Sequence, residues 1–344
     1  MTRILVGTEK GAYVLADDGA DWATTGPLFP GWKVTAFGQT ADGTHLAAVG
    51  SNWFGIGVHR SRDLVEWEQI DRPPAWPEGA ARTMEQVWTF HNVGEATWAG
   101  VAHAGLFTSH DQGVTWSAIE GLNEHPTRDE WQPGLGGLCA HRILSSGGQQ
   151  WVAISAVGVF RSDDDGKTWA PKNRGIPAVN TADDAPPPEV GYCVHGIAHD
   201  VANPDRIWRQ DHMGVFRSTD GGDNWLRIEE GLPAGFGFVM WRDADSGRLI
   251  NVPLESSSNR VPVDGKLRAF ASDDDGDTWH VAGSGWPDAP RFTGVLRGAF
   301  DGDQSGNFCF GTTGGSLWLT RDTGETWAEL APTFPRINAV RLVA

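Results

Sequence analysis

The chain has 344 residues and a net charge of −17, and it contains 45 glycines, 18 tryptophans and 3 cysteines. This acidic balance argues against a nucleic-acid partner or an anionic membrane surface, and no apolar run is long enough to span a membrane. Three cysteines are too few for a disulfide framework, and the first residues lack a signal-peptide pattern. We therefore expect a cytoplasmic protein with a small-molecule ligand, without a nucleic-acid or membrane partner, and we predict no oligomer.

A short motif of the form S/T-x-D-x-G-x-(T/N)-W recurs along the chain. Two less complete copies surround Asp17 and Asp63, and the five complete copies are residues 109–116, 162–169, 218–225, 272–279 and 320–327. The aspartates of the seven copies lie 46 to 56 residues apart, which is the length of one blade of a β-propeller. The repeat predicts an all-β fold, a seven-bladed β-propeller that forms a single domain over residues 1–344.

The residue types of the motif indicate a structural turn. The Asp carboxylate can accept hydrogen bonds from the backbone N–H groups of its own turn. The Gly permits a positive φ, and the Trp packs its large apolar surface between sheets. An acidic motif also suggests calcium, but this one lacks the distal glutamate of an EF-hand loop. We therefore expect the seven copies to stabilise the blades.

The strand pattern predicts how the ring closes. The inner-strand candidates are the apolar or alternating runs 34–38, 85–90, 138–144, 192–198, 238–242, 294–300 and 337–343. The N-terminus supplies only three strands before the first of these runs, at 3–8, 11–16 and 21–24. No blade follows the last run. The C-terminal strand is therefore expected to complete the N-terminal blade, which removes an open sheet edge.

Three long loops indicate the functional face of the ring. Residues 121–137 and 173–191 precede inner strands, and residues 254–266 join the second and third strands of blade six. The second loop contains Pro186 and the acidic pair Asp183 and Asp184. In a propeller these two classes of loop share one face, and long loops in a compact fold carry function more often than not. We expect a ligand site in the funnel on this face.

Acidic and titratable residues near this face suggest catalytic chemistry. Glu85 begins an inner strand and Glu255 ends the second strand of blade six, so the two are candidates for acid and base in glycosidic cleavage. His195 and His141 are candidate proton carriers, and His195 with Tyr192 could serve as base and acid in a lyase. The alternative for each residue alone is a solvated charge at the rim.

A second set of residues is predicted to hold the substrate. Arginine pairs geometrically with carboxylates and phosphates, and Trp131, like Trp53, could stack on a sugar ring, although packing between blades is the alternative for every Trp. The full set of predicted substrate-binding residues is Arg128, Trp131, Asp211, His212, Arg260 and Arg291.

Two neighbouring inner strands carry the same Cys-x-His triplet, at residues 139–141 and 193–195. Residues two apart on a strand point the same way, so ligands for zinc, iron or copper could converge from both strands. The candidate ligands of such a divalent metal are His141, His195 and His212. The alternative is that each Cys is a small buried hydrophobe and each His bonds to a carbonyl.

The repeated motif resembles the Asp-box, or BNR repeat, of sialidases and their relatives. In that family the Asp-box lies between the third and fourth strands of each blade, on the face away from the active site, which implies that none of the seven copies is catalytic. True sialidases carry an Arg-Ile-Pro motif near the N-terminus, where this chain reads Met-Thr-Arg-Ile-Leu. Sialidase propellers also have six blades, so sialidase activity is not expected.

The chain more closely resembles a group of bacterial proteins described as sialidase-like, glycosyl-hydrolase-like or BNR-repeat proteins. The resemblance rests on residues 125–128, 131–134, 137–141, 193–195, 214–218 and 253–255. It implies a glycoside-hydrolase-like or lyase-like enzyme that acts on a carbohydrate-like or other polar metabolite in the funnel. Two alternatives remain, a His-ligated metalloenzyme on the same face and a non-catalytic, protein-binding propeller such as the photosystem assembly factors, which share the Asp-boxes.

Overall fold

A computed structural model describes residues 2–19, 21–51, 55–178, 187–303 and 305–343. The described residues form seven four-stranded antiparallel sheets and one two-stranded pair. The sheets are the seven blades of a β-propeller, as the repeat predicts. No helix in the described part of the chain has the length and apolarity needed to cross a membrane.

The strands of the blades follow one another in chain order. Blade one contains β1 (Arg3–Thr8), β2 (Gly11–Asp17) and β3 (Trp22–Leu28), and blade two contains β4 (Lys33–Gln39), β5 (His45–Ser51), β6 (Gly55–Ser61) and β7 (Glu68–Gln69). Blade three contains β8 (Gln86–Val93), β9 (Ala96–Ala102), β10 (Gly105–Ser109) and β11 (Ser117–Ala118). Blade four contains β12 (Ala140–Ser146), β13 (Gln149–Ile154), β14 (Gly158–Ser162) and β15 (Ala170–Pro171).

The remaining blades have the same organisation, with an extra pair of short strands. Blade five contains β16 (Val194–Asp200), β17 (Asn203–Asp211), β18 (Gly214–Ser218) and β19 (Leu226–Arg227). The extra pair consists of β20 (Phe236–Gly237) and β23 (Pro253–Leu254). Blade six contains β21 (Trp241–Arg242), β22 (Leu249–Asn251), β24 (Phe270–Ser272) and β25 (His280–Val281). Blade seven and the last strand contain β26 (Phe300–Gly302), β27 (Phe308–Gly311), β28 (Leu317–Thr320), β29 (Ala328–Leu330) and β30 (Ile337–Val343).

The C-terminal strand closes the ring. Strand β30 pairs with β1 in an antiparallel register from Arg3 opposite Val343 to Thr8 opposite Ile337. The first sheet therefore has the order β3-β2-β1-β30. This pairing joins the two ends of the chain within one blade, and the predicted closure is confirmed.

Each complete copy of the repeated motif forms a hydrogen-bonded turn between the third and fourth strands of its blade. In the last copy, the Asp322 carboxylate accepts hydrogen bonds from the Thr326 N–H at 2.8 Å, the Thr326 hydroxyl at 2.6 Å and the Thr320 hydroxyl at 2.7 Å. Gly324 has a φ of 91°, a conformation that glycine adopts without strain. The carboxylate is thus occupied by its own turn, as expected for a structural motif.

The tryptophans of these turns pack between blades. Trp169, Trp225, Trp279 and Trp327 are all buried. The Trp279 indole N–H donates to the carbonyl of Ile228 in the preceding blade at 2.9 Å. Because each ring covers a neighbouring sheet, these residues join the blades through apolar contact.

Several inner strands begin later than the sequence predicts. The predicted strand 238–242 contains only the strand Trp241–Arg242, and the predicted strand 294–300 overlaps Phe300–Gly302 by one residue. Most of the residues before these strands are buried, but they bond elsewhere: Gly237 belongs to the pair β20–β23, and the Gly294 N–H donates to the Thr313 hydroxyl. Apolar runs mark burial, and burial alone does not show a paired strand.

Two of the three long loops reach the same end of the channel. The loop 121–137 contains the short helix α1 (Glu120–Asn123) at its start and a 3-10 turn, Arg128–Glu130, and the connection of blade six contains a second 3-10 turn, Val263–Gly265. Both loops contribute residues to one cavity on the axis. Residues 179–186 of the loop 173–191, including Pro186, Asp183 and Asp184, lie outside the described residues.

Candidate functional site

A cavity of about 170 Å³ lies on the propeller axis where the inner strands begin, and we call it the mouth. Its charged lining residues are Glu9, Lys33, Arg260, Arg297 and Arg336. Lys33 begins β4, and Arg336 immediately precedes β30. Because the inner strands all start at this end, side chains from distant parts of the sequence meet around the axis.

The mouth is strongly cationic in an acidic protein. Four of its five charged residues are basic, whereas the whole chain has a net charge of −17. Within the described part of the chain, no ion pair joins any of the four basic residues to a carboxylate. The Lys33 ammonium donates to the Gln86 side-chain oxygen at 3.3 Å, and the Arg260 Nε donates to the Ser257 carbonyl at 3.1 Å. The positive charges of the mouth therefore remain available to an anion.

Arg297 is the most deeply placed of these cations. Its exposed fraction is 9%, and one of its terminal nitrogens donates to the Ser155 hydroxyl at 3.2 Å. Its Nε has no hydrogen-bond partner among the described residues. The guanidinium lies 4.9 Å from the ring centre of Phe238. A guanidinium stays charged in proteins, and a buried charge without a counterion is costly, so this position favours an anionic ligand.

Arg260 lies beside Arg297 on the same aromatic ring. Its guanidinium is 5.5 Å from the ring centre of Phe238. Burial, together with the positive charge of Arg297, lowers the pKa of Arg260 from its usual value. The two guanidinium groups repel one another, and an anion between them would relieve this repulsion.

A second cavity continues along the axis below the mouth. The two cavities share Thr35, Trp88, Arg297 and Gly298, so they form one channel. In the lower cavity, the Arg341 side chain lies 3.6 Å from the Asp301 carboxylate. The positive charge of the lower cavity is therefore at least partly neutralised by a carboxylate of its own lining, unlike the positive charge of the mouth.

The predicted catalytic carboxylates lie outside the channel. Glu85 and Glu255 are exposed, and neither lines the mouth or the lower cavity. Glu85 pairs with His103 at 3.0 Å, and Glu255 accepts a hydrogen bond from Asn259. The carboxylate of the mouth is that of Glu9, which sequence reasoning missed. Its position directly after the first strand was the available signal, because that strand pairs with the closing strand.

Tyr192 and His141 are buried instead of facing the mouth. Tyr192 is 1% exposed, its hydroxyl donates to the Pro188 carbonyl at 2.9 Å, and burial raises its pKa. The His141 Nε2 lies 3.1 Å from the Val194 carbonyl oxygen, and burial holds the pKa of His141 well below its usual value. The expectation that Tyr192 lies at the mouth is corrected, because its ring packs in the core of blades four and five.

Arg128 and Trp131 hold their own loop together. The Arg128 guanidinium lies 4.4 Å from the centre of the Trp131 ring and donates to the Ala104 carbonyl. Trp131 is 5% exposed, and its indole N–H donates to the Thr127 hydroxyl at 3.0 Å. The Trp131 ring is therefore not available for stacking on a sugar, which corrects that expectation. Trp53 lies outside the described residues.

Two further predicted substrate-binding residues have structural partners. Asp211 is fully buried and forms an ion pair with Arg209 at 2.5 Å. Arg291 forms an ion pair with Glu329 at 2.9 Å. The Asp211 carboxylate cannot reach a ligand without breaking its buried pair, so its predicted role is corrected. Of the predicted substrate-binding residues, Arg260 is the one that lines the mouth.

The two Cys-x-His triplets do not converge on one point. One group of three potential metal ligands occurs in the described part of the chain, and it consists of Cys193, His195 and His212. Cys139 and His141 are buried and belong to no such group. The convergence of both triplets that the metal alternative requires is therefore not found, because Cys139 is fully buried and His141 lines the lower cavity, away from this group.

Comparison with known proteins supports a propeller and a distant relation to glycoside hydrolases. No family model matches the chain. The xyloglucanase Xgh74A of Acetivibrio thermocellus is 28% identical over 216 residues, which cover 58% of this chain and 22% of that protein. The chain thus matches less than a quarter of the length of this relative.

Solved structures with the same fold include YCF48 from Cyanidioschyzon merolae, with a TM-score of 0.61 and 12% identity over 93% of this chain and 91% of that chain. YCF48 bound to D1 peptide has a TM-score of 0.53 and 14% identity, over 86% of this chain and 81% of that chain. An ancestral GH74 enzyme has a TM-score of 0.51 and 13% identity, over 99% of this chain and 40% of that chain. At these identities the structures show a shared fold alone.

Proposed function

We propose that this protein is a glycoside-hydrolase-like enzyme of the Asp-box type, and that it binds an anionic sugar at the mouth of its central channel. The anionic group would be a carboxylate, as in a uronic acid residue, or a phosphate. The observation that carries the proposal is the cluster of Lys33, Arg260, Arg297 and Arg336, which has no carboxylate partner among the described residues. The distant similarity to a xyloglucanase supports the sugar.

Electrostatics supports the anionic part of the proposal. Guanidinium groups bind carboxylates and phosphates through two parallel hydrogen bonds. The Nε of Arg297 has no hydrogen-bond partner among the described residues, so it can donate such a bond to a ligand. A positively charged cleft with low-dielectric walls also focuses the electric field and concentrates anions. The mouth therefore selects for negative charge even though the protein itself is acidic.

An aromatic residue supports the sugar part of the proposal. Trp88 lines both the mouth and the lower cavity and is partly exposed. The apolar face of a sugar ring packs well on an indole, which buries a large area at low entropic cost. Trp88 thus replaces Trp131 as the residue we propose for stacking.

The acid–base chemistry is assigned to carboxylates at the mouth and its rim. Glycosidic cleavage uses two carboxyl groups, one on each side of the scissile bond. We propose Glu9, which lines the mouth, together with Glu255, which lies on the same loop as Arg260. Glu85 is paired with His103 and is the less suitable partner.

The test is a comparison of charged and neutral sugars. We would measure binding of uronate-containing oligosaccharides and of neutral xyloglucan oligosaccharides by calorimetry, and then the release of reducing ends. We expect the charged sugars to bind at least about 10-fold more tightly, since one charge-assisted hydrogen bond contributes about 1.5–3 kcal/mol. Equal affinity for both classes would contradict the anionic part of the proposal.

Three variants test the catalytic assignment. Glu9→Gln and Glu255→Gln should each lower turnover by about 100-fold or more, the usual contribution of a general acid or base. Glu95→Gln is the matched control, because Glu95 is exposed in the turn between β8 and β9. Full turnover in Glu9→Gln would remove Glu9 from the mechanism. A non-catalytic, protein-binding role stays a prediction from the sequence.

A further inference from the structure

Three metal-ligand side chains meet beside the mouth in blade five. Cys193 immediately precedes β16, His195 lies on β16, and His212 follows β17. The His212 N–H donates to the Cys193 carbonyl at 2.9 Å, which fixes the two backbones beside one another. The sulfur and one nitrogen of each ring all lie within 4.8 Å of one another. Each of the three residues therefore presents one ligand atom to a common point.

The spacing of two of these atoms fits a tetrahedral ion. The Cys193 sulfur lies 3.5 Å from the His195 Nε2. Zinc bonds to thiolate sulfur at about 2.3 Å and to imidazole nitrogen at about 2.0–2.1 Å, which places the two atoms about 3.6 Å apart at a tetrahedral angle. The pair is thus spaced for a shared ion, and an adjustment of His212 by about 1 Å completes three ligands.

The other nitrogen of His195 is held as metal ligands usually require. Its Nδ1 lies 2.8 Å from the Gly237 carbonyl oxygen, which can only accept, so Nδ1 carries the proton and Nε2 presents a lone pair. The ring stacks on Phe238 at 4.5 Å and meets Phe236 edge-on at 5.1 Å.

We propose that Cys193, His195 and His212 bind one zinc ion, with the fourth coordination position open to water or to an oxygen of a ligand in the mouth. Cys193 and His212 are half-buried, so solvent can reach this position. Three protein ligands with one open position are typical of catalytic zinc sites. One thiolate and two imidazoles also suit zinc better than calcium or magnesium, which prefer oxygen.

Phe238 connects the proposed site to a residue of the mouth. The ring of Phe238 contacts His195 at 4.5 Å and the guanidinium of Arg297 at 4.9 Å. Arg297 opposes the binding of a cation, and the negative charge that Cys193 would carry as a zinc-bound thiolate offsets this repulsion. The zinc site goes beyond the proposed function, because its binding does not depend on which sugar enters the mouth.

The chain contains its own control in the first Cys-x-His triplet. Cys139 is fully buried, and the His141 Nε2 faces the Val194 carbonyl. The first triplet therefore has the same residue types at the same spacing, but its side chains are not arranged around a common ion. Cys139→Ala should leave zinc binding unchanged.

The test measures zinc directly on the untagged protein. The protein would be loaded with zinc, dialysed against metal-free buffer and examined by elemental analysis, with affinities from competition against a chelator. We expect about one zinc ion per chain in the wild type and in Cys139→Ala. We expect Cys193→Ser and His212→Gln each to weaken binding by more than about 100-fold, since even a residue that only hydrogen-bonds to a metal ligand contributes about 10- to 100-fold.

Cobalt substitution separates ligand loss from misfolding. Cobalt bound to Cys193 should give a thiolate charge-transfer absorption in the near ultraviolet, which Cys193→Ser removes and Cys139→Ala keeps. His212→Gln, at a half-buried position, should keep the wild-type melting temperature without metal and lose the increase that zinc produces. Absence of zinc from the reconstituted wild type, or equal zinc in Cys193→Ser, would overturn the proposal. Both results are independent of any sugar measurement.

Discussion

Two buried arginines differ in what surrounds them. Arg209 in blade five is 0% exposed, and its guanidinium donates to the Asp211 carboxylate at 2.9 and 2.5 Å and to the Asn173 side-chain oxygen at 2.9 Å. Arg297 in the mouth is 9% exposed and donates to a single hydroxyl, that of Ser155, at 3.2 Å. The first charge is neutralised by the fold, whereas the second lacks a counterion among the described residues.

This difference separates stability from function. A buried ion pair with complete hydrogen bonding is part of the structure, and removal of one partner leaves the other uncompensated. A buried charge without a counterion lowers stability, and such costs occur where a ligand later supplies the missing charge. The comparison predicts opposite effects on stability when each arginine is replaced by methionine.

The largest effect is expected from Arg209→Met. This change leaves the buried Asp211 carboxylate without its partner and should lower the free energy of unfolding by about 3–5 kcal/mol. Chemical denaturation measures it. The double variant Arg209→Met, Asp211→Leu is the control and should recover most of the loss, because an apolar pair replaces the ion pair. A single variant as stable as the wild type would remove the contrast between the two arginines.

Arg297→Met should behave in the opposite way. Because it removes an uncompensated charge, we expect equal or higher stability than the wild type in the same denaturation experiment. Binding of an anionic sugar should weaken by about 10- to 100-fold, the equivalent of about 1.5–3 kcal/mol for a charge-assisted hydrogen bond. Strong destabilisation with unchanged binding would show that Arg297 is structural like Arg209.

The fold could be predicted from the sequence because its signal repeats. Seven copies of one motif set the blade length, and the missing strand of the first blade predicts the pairing of Ile337–Val343 with Arg3–Thr8, which the register confirms. Each copy adds the same local information, so an error in one blade does not change the count. Strand ends cannot be predicted from the repeat, since they depend on pairing with neighbouring strands.

The site could be predicted only in part, because it depends on which residues meet. Asp211 is one of the predicted substrate-binding residues, yet it pairs with Arg209, which stands two residues before it. Residues two apart on a strand share a face, so this opposite charge was a usable signal for an ion pair. Nothing local distinguishes Arg297, whose environment comes from blades four and six and is formed only when the ring closes.

A smaller effect is expected from an exposed cation of the mouth. Arg336→Gln should weaken binding of an anionic sugar by about 0.2–1 kcal/mol, because solvent screens an exposed charge. The effect should shrink further as salt is added. Calorimetry at low and high salt measures it. Arg62→Gln is the matched control, since Arg62 is 76% exposed in the turn of blade two and should not change binding.

The smallest effect is expected from a turn carboxylate, whose charge is satisfied by its own backbone. Hydrogen bonds from the Thr278 hydroxyl and N–H lower the pKa of Asp274 from 3.8 to about 2. Its stabilisation is therefore present above about pH 4 and is lost as the pH falls towards 2.

The melting temperatures of the wild type and Asp274→Asn should thus differ slightly at about pH 5, draw closer as the pH falls through about 2, and converge only below it, with Glu95→Gln as the control. A constant difference would show that the turn depends on shape alone. Convergence would show that the turns use their carboxylates for stability, as Arg209 uses Asp211. The cations of the mouth, which have no carboxylate partner among the described residues, would then be the charges in this comparison that a ligand must neutralise.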